Sequence, residues 1–167
     1  KQSKLSGNPL CVFEDARGLD DATLQALALQ FNLSETVFVL PSDNATARIR
    51  IFTTAFEMPF AGHPTLGAAH VVRALKKAGD AITLETGAGV IPVNAQGDTW
   101  TLKANAPKSR LYERGNTALA RLLGISESDI AGAPLWVNTG NEQLVVPLAS
   151  VDAVRRCKVA VDALIMK

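Results

Sequence analysis

The pattern of apolar and polar positions divides the chain into short strands and a few helices. Strict alternation over 47–51 predicts a half-buried strand. Apolar residues at helical spacing within 20–32 predict a helix that Asp20 caps and Asn32 ends. Other strands are predicted near 10–13, 33–40, 81–86, 90–93, 99–103, 134–140 and 143–148, and other helices before Gly124 and over 151–167. Because strands and helices mix without a regular βαβ repeat, the predicted class is α+β.

The longest predicted helix, about 64–78, carries small or apolar residues nearly all the way round. Pro64 suits its first position, and Gly79 suits a left-handed C-terminal cap. A helix without a broad polar face is normally buried on every side, so we expect a central helix enclosed by the sheet. The residues expected to be almost wholly buried are Ala68, Ala69, Val71, Val72 and Leu75.

The composition is that of an ordinary globular protein with room for one good core: 167 residues, 47% hydrophobic and 20% charged. A net charge of +1 gives no reason to expect nucleic acid or a membrane as partner. No apolar stretch approaches a membrane span and no secretory signal is recognisable, so we expect a cytoplasmic protein. Cys11 and Cys157 form no disulfide or zinc motif and are interpreted as small buried hydrophobes. We divide the chain into an N-terminal lobe, 1–108, and a region 109–167 that begins with a linker.

Two side chains are candidates for acid/base chemistry. Glu35 stands at the start of an apolar strand, where a carboxyl in a dry cleft could take and return a proton; the alternative is a solvated carboxylate. His63 stands at a helix start, where the alternative is an imidazole that only caps the helix. The free N–H groups at Gly62 and His63 suit an anionic ligand. His70 is interpreted as a core histidine, and two histidines without a third ligand predict no metal site.

The residues alone therefore predict a cleft with one acid, one histidine and an anion-binding helix end, but no particular reaction. Four motifs then resemble, in order, the hallmarks of the PhzF family of phenazine-biosynthesis-like isomerases. They are Gly7–Leu10 before a strand, Asn32–Thr36, Phe52–Thr53 and Pro59–Gly67. The resemblance is specific from residue 7 to about 80 and looser beyond, where Asn138–Asn141 resembles the first cleft-facing turn of the second lobe.

The resemblance implies an α+β fold similar to diaminopimelate epimerase. Each of two lobes would have a curved mixed sheet wrapped round a central helix, with the active site between the lobes. Residues 1–108 would form the first lobe, with the central helix at about 64–78. Residues 109–167 would hold the linker and the start of a second, incomplete lobe.

The resemblance also implies a cofactor-independent isomerase acting on a small anionic, cyclic substrate. Glu35 would be the general acid/base and His63 would assist at the substrate, with no metal. The residues implied to bind the substrate are Asn8, Gly62, Pro64 and Thr65. A homodimer is a possible assembly. Because this chain lacks the family's second acidic motif, the alternative is a non-catalytic small-molecule binding module or a truncated, inactive fragment.

Overall fold

The structure, a computed structural model, describes residues 6–159. Its strands are β1 (Cys11–Phe13), β2 (Thr36–Leu40), β3 (Ala47–Phe52), β4 (Glu57–Met58), β5 (Ala81–Thr86), β6 (Gly89–Gln96), β7 (Thr99–Leu102), β8 (Lys108–Leu111), β9 (Leu135–Asn138) and β10 (Glu142–Val145). Its helices are α1 (Asp21–Phe31), α2 (Gly62–Lys76), α3 (Gly115–Leu123) and α4 (Val151–Arg156). The chain divides into two compact units. Unit 1 comprises the chain up to Ala106 together with Thr139–Asn141, and unit 2 comprises the rest.

A seven-stranded mixed sheet forms the body of unit 1. Its order is β1-β2-β3-β5-β6-β7, with β4 paired to β3. The pairs β1–β2 and β3–β5 are parallel and the others antiparallel. Strands from both ends of this order, β1 and β7, contact the same helix, α2. Six flat strands would span roughly 24 Å, more than twice the width of a helix of about 10 Å, so the sheet must curve round α2. The predicted α+β class and the curved sheet round a central helix are confirmed.

The curved sheet buries one side of α2 and leaves the other open. Ala68, Ala69 and Val72 are fully buried, as predicted. Leu75, however, is 45% exposed and Val71 is only half-buried, so the prediction of burial on every side is wrong. The buried residues packed round α2 in this core include Val37, Val39, Ile49, Ile51, Leu84, Ile91 and Val93. The exposed side of α2 exists because the described strands surround only part of the helix circumference.

The central helix also ends differently from the prediction. It begins at Gly62, two positions before Pro64, and ends at Lys76. The left-handed cap is Lys77, with φ 48° and ψ 36°, and not Gly79 as predicted. A left-handed lysine costs roughly 1–2 kcal/mol relative to a right-handed one. The chain has to turn this early because Ala78 already packs against the core.

Helix α1 covers the opposite face of the sheet. Successive residues of a strand point to opposite faces of the sheet, so in β2 the Val37 side chain packs on the α2 side and the Phe38 side chain packs on the α1 side. The second core contains Ala16, Leu24, Ala28, Phe38 and Phe52. Both predicted ends of α1 are confirmed. The Asp20 carboxylate accepts a hydrogen bond from the Thr23 N–H at 2.8 Å, and Asn32 is left-handed with φ 51°.

Unit 2 contains a three-stranded antiparallel sheet, ordered β10-β9-β8. Leu119 and Ala120 of α3 pack with Ile130 in its core. Gly124 ends α3 with φ +67°, as predicted. Helix α4 ends at Arg156, so the longer helix predicted there is wrong over 157–159, and its residues 160–167 lie outside the described residues. Within residues 6–159, no helix combines the length and apolar character needed to cross a membrane.

Candidate active site

The structure brings Glu35 and His63 together, although 27 residues separate them in the chain. Glu35 directly precedes β2, and His63 is the second residue of α2. The Oε2 atom of Glu35 lies 3.6 Å from the Nε2 atom of His63, and their side chains are 17% and 35% exposed. This distance is too long for a hydrogen bond. Both atoms are buried without a hydrogen-bond partner among the described residues, so the pair retains unused capacity to bind a polar group.

The N-terminus of α2 beside this pair has no side-chain cap. Ala61 occupies the N-cap position, where an alanine side chain cannot accept a hydrogen bond. The helix itself offers no partner to the N–H groups of Gly62 and His63. Its first turn carries no acidic residue. The positive end of the helix dipole therefore favours an anionic group at this point.

Asn8 reaches the site through a neighbour that sequence reasoning did not single out. The Ser34 hydroxyl donates to Asn8 Oδ1 at 2.9 Å, and Ser34 is adjacent to Glu35. Its position within the Asn32–Thr36 motif was the signal that could have identified it. The hydrogen bond ties the loop before β1 to the loop before β2, so both loops meet at the candidate acid.

A groove of about 520 Å³ in unit 1 connects this loop with the open side of α2. Its lining residues include Asn8, His63, Gly67 and His70. His70 is exposed and makes an edge-to-face contact with Trp100 at 5.8 Å between ring centroids, so its interpretation as a core histidine is wrong. The groove exists because His70 and Val71 fall on the side of α2 that the sheet leaves open.

The other predicted substrate-binding residues, Gly62, Pro64 and Thr65, differ in their exposure to solvent. Gly62 is exposed at the helix start, whereas Pro64 and Thr65 are buried. The Thr65 hydroxyl donates to Ala61 O at 2.7 Å, so it holds the first turn of α2 together. Gly62 is thus the member of this set placed to offer its backbone to a ligand, and the binding roles of all three stay predictions.

In the part of the chain that the structure describes, no group of three or more His, Cys, Asp or Glu side chains is arranged to hold a metal ion. Burial raises the pKa of the Cys11 thiol, so a smaller fraction of this side chain is present as the nucleophilic thiolate. The groups that this site offers for proton transfer and anion binding include the side chains of Glu35 and His63 and the N–H groups at the start of α2.

The family model for phenazine biosynthesis-like proteins matches residues 2–167 of the chain. The chain belongs to this family. An uncharacterized isomerase of Pasteurella multocida is 40% identical over 162 residues, which cover 95% of this chain and 55% of that protein. The trans-2,3-dihydro-3-hydroxyanthranilate isomerase of Pseudomonas fluorescens is 38% identical over 155 residues, covering 89% of this chain and 54% of the relative.

Solved structures agree with this assignment to the phenazine biosynthesis-like family. A Pseudomonas aeruginosa protein described as a predicted epimerase superposes with a TM-score of 0.82 at 30% identity. The superposition covers 98% of this chain and 61% of that protein. The chain spans about half the length of the curated relatives it matches.

Proposed function

We propose that this chain supplies the acid/base half of an isomerase that moves a proton on a small cyclic carboxylate without a cofactor. The facing pair Glu35 and His63, at 3.6 Å with unpartnered buried atoms, carries the proposal. The named activity of the Pseudomonas fluorescens relative, an isomerase of a dihydro-hydroxyanthranilate, supports the substrate class. Such a substrate has a carboxylate on a ring, which matches the anion-favouring end of α2.

In the proposed mechanism, the Glu35 carboxylate removes a proton from a ring carbon. The electron pair of that C–H bond moves into the conjugated system, and the protonated carboxyl returns the proton to a different carbon. No electrons are gained or lost, so the step needs no redox partner. His63 donates a hydrogen bond to the substrate, and the Gly62 and His63 N–H groups hold its carboxylate.

The proposal is tested by solvent exchange in the full-length gene product. Incubation with trans-2,3-dihydro-3-hydroxyanthranilate in D₂O should give an isomerised product, read by NMR. The product carries deuterium at carbon wherever the Glu35 carboxyl exchanges its proton with solvent before returning it. Glu35→Gln keeps the shape of the side chain and removes the proton carrier, so the rate should fall about 10²-fold or more. Glu14→Gln is the matched control, because Glu14 is an exposed glutamate elsewhere in unit 1.

The outcomes separate the two functions that the sequence suggests. Exchange that Glu35→Gln abolishes and Glu14→Gln leaves intact supports the isomerase. Binding of the cyclic carboxylate with neither isomerised product nor carbon exchange over long incubation refutes the isomerase and favours a binding module. Full exchange in Glu35→Gln removes Glu35 from the mechanism.

A further inference from the structure

The segment that leads into α2 is held by the turn between β5 and β6, residues 86–89, here called the clamp turn. The Ala88 N–H donates to Pro59 O at 3.0 Å. Gly87 packs directly on the same residue, since a Cβ at position 87 would lie 2.9 Å from Pro59 Cα and 3.2 Å from Pro59 Cβ. Pro59 stands two residues before Ala61, the N-cap of α2. The clamp turn therefore contacts the chain two residues before the N-cap of α2.

The clamp turn is itself secured by two side chains. The Thr86 hydroxyl, which is buried, donates to Gly89 O at 2.9 Å and accepts from the Ala88 N–H at 3.2 Å. The Asn105 amide donates to Ala88 O at 2.8 Å. Both polar groups of the Ala88 backbone are thus occupied, and this residue cannot shift without breaking several hydrogen bonds.

A second glycine closes on the same segment from another direction, within unit 1. Gly140 has φ +133°, and a Cβ there would lie 2.7 Å from Phe60 Cβ and 3.1 Å from Ala88 Cβ. Phe60 is a buried member of the unit 1 core. Pro59 and Phe60 are therefore held between the clamp turn and Gly140, and neither glycine position has room for a side chain.

We propose that the clamp turn and Asn105 set the position of His63 relative to Glu35, so that Gly87 and Asn105 are positioning residues. The catalytic part of this inference rests on the function proposed above. Helix α2 lacks a side-chain cap, so its first residues depend on the Thr65–Ala61 hydrogen bond within the helix and on the contacts of the clamp turn with Pro59. Pro59 and Phe60 form the segment that enters α2, here called the entry segment. His63 follows Pro59 by four residues, so a shift of the entry segment moves the imidazole away from its 3.6 Å contact with the Glu35 carboxylate. A displacement of about 1 Å at a catalytic group can cost 10²-fold in rate.

The test compares Gly87→Ala with Gly79→Ala in the full-length gene product. A methyl at position 87 meets the backbone of Pro59, which no side-chain rotation can relieve, whereas nothing lies within 4 Å of a Cβ at position 79. Neither glycine has a positive φ, so the added methyl does not strain the local backbone. Asn105→Asp is the milder second variant, because Asn105 is exposed and the change replaces a donor by an acceptor facing Ala88 O.

Two readouts are taken from each variant: kcat for the isomerisation and the ring NMR signal of His63, with His70 as internal reference. We expect Gly87→Ala and Asn105→Asp to shift the His63 signal, leave the His70 signal in place and lower kcat about tenfold or more. Gly79→Ala should change neither readout. If Gly87→Ala does not fold, Asn105→Asp alone gives the answer.

An unmoved His63 signal in Asn105→Asp and in any folded Gly87→Ala variant would overturn the positioning role, whatever happens to kcat. A His63 signal that shifts while kcat stays at the wild-type level would overturn the catalytic consequence. If the wild-type protein shows no isomerisation and no carbon exchange, the proposed function fails. The NMR comparison still decides whether the clamp turn positions His63.

Discussion

The two leucines Leu84 and Leu75 allow the one-sided burial of α2 to be measured with the same substitution. Leu84, in β5, is fully buried in the core around α2, whereas Leu75, in the last turn of α2, is 45% exposed. Removing three buried carbons costs about 2.4 kcal/mol of transfer free energy at roughly 0.8 kcal/mol each. The cavity left at Leu84 should raise the total cost of Leu84→Ala to about 3–5 kcal/mol.

Leu75→Ala should cost about 1 kcal/mol. Roughly half of its side chain is already in water, solvent fills the space that is vacated, and alanine has a slightly better helix propensity than leucine. The free energy of unfolding is measured by urea titration with tryptophan fluorescence. A Trp136→Phe background leaves Trp100, in β7 of unit 1, as the reporter within this chain.

The denaturant midpoint should fall strongly for Leu84→Ala and slightly for Leu75→Ala, with the m-value unchanged in both. Equal losses for the two variants would mean that the last turn of α2 is covered in solution. A loss below about 1 kcal/mol for Leu84→Ala would mean that the core is not where the structure places it.

Two further predictions concern charge. Ala69→Asp places an unpaired carboxylate in the fully buried face of α2, which should lower the free energy of unfolding by several kcal/mol and abolish the cooperative thermal melt followed by circular dichroism. Ala74→Asp, on the exposed face of α2, should keep a cooperative melt. Equal melts of the two variants would contradict the burial of Ala69. The hydrogen bond from the Arg17 side chain lowers the pKa of the Asp15 carboxyl from 3.8 to about 2. Because the pKa is lower in the folded protein, the stabilisation by this pair is fully present above pH 3.8 and is lost as the pH falls through about 2. Carboxyl NMR titration should show this low midpoint and its return towards 3.8 in Arg17→Gln; an ordinary midpoint in the wild-type protein would refute the pairing.

Local chemistry in the sequence determined the helix ends that depend on neighbouring residues. The cap at Asp20 and the helix ends at Asn32 and Gly124 were predicted correctly, because each forms within one turn of its own helix. The motifs around Glu35 and His63 also pointed to the correct family, since they are contiguous stretches readable without any fold.

Contacts between distant segments were decided only by the tertiary structure. The small and apolar residues on all sides of α2 predicted an enclosed helix. Which side of the helix is covered depends on how far the described strands curve round it, and Leu75 and His70 lie on the uncovered side. Lys77 takes the left-handed cap because the partly buried Ala78 packs against the core, and this contact outweighs the intrinsic advantage of Gly79.

The candidate site shows the same division. The sequence named Glu35 and His63 but gave no distance between them, since one precedes a strand and the other begins a helix in a different layer. Their 3.6 Å approach arises from the packing of α2 against β2, and the hold of Gly87 and Gly140 on the entry segment is likewise a matter of long-range fit. Residue types specify which chemistry is available, whereas distances of a few ångströms are fixed by the close packing of segments that are remote in the chain.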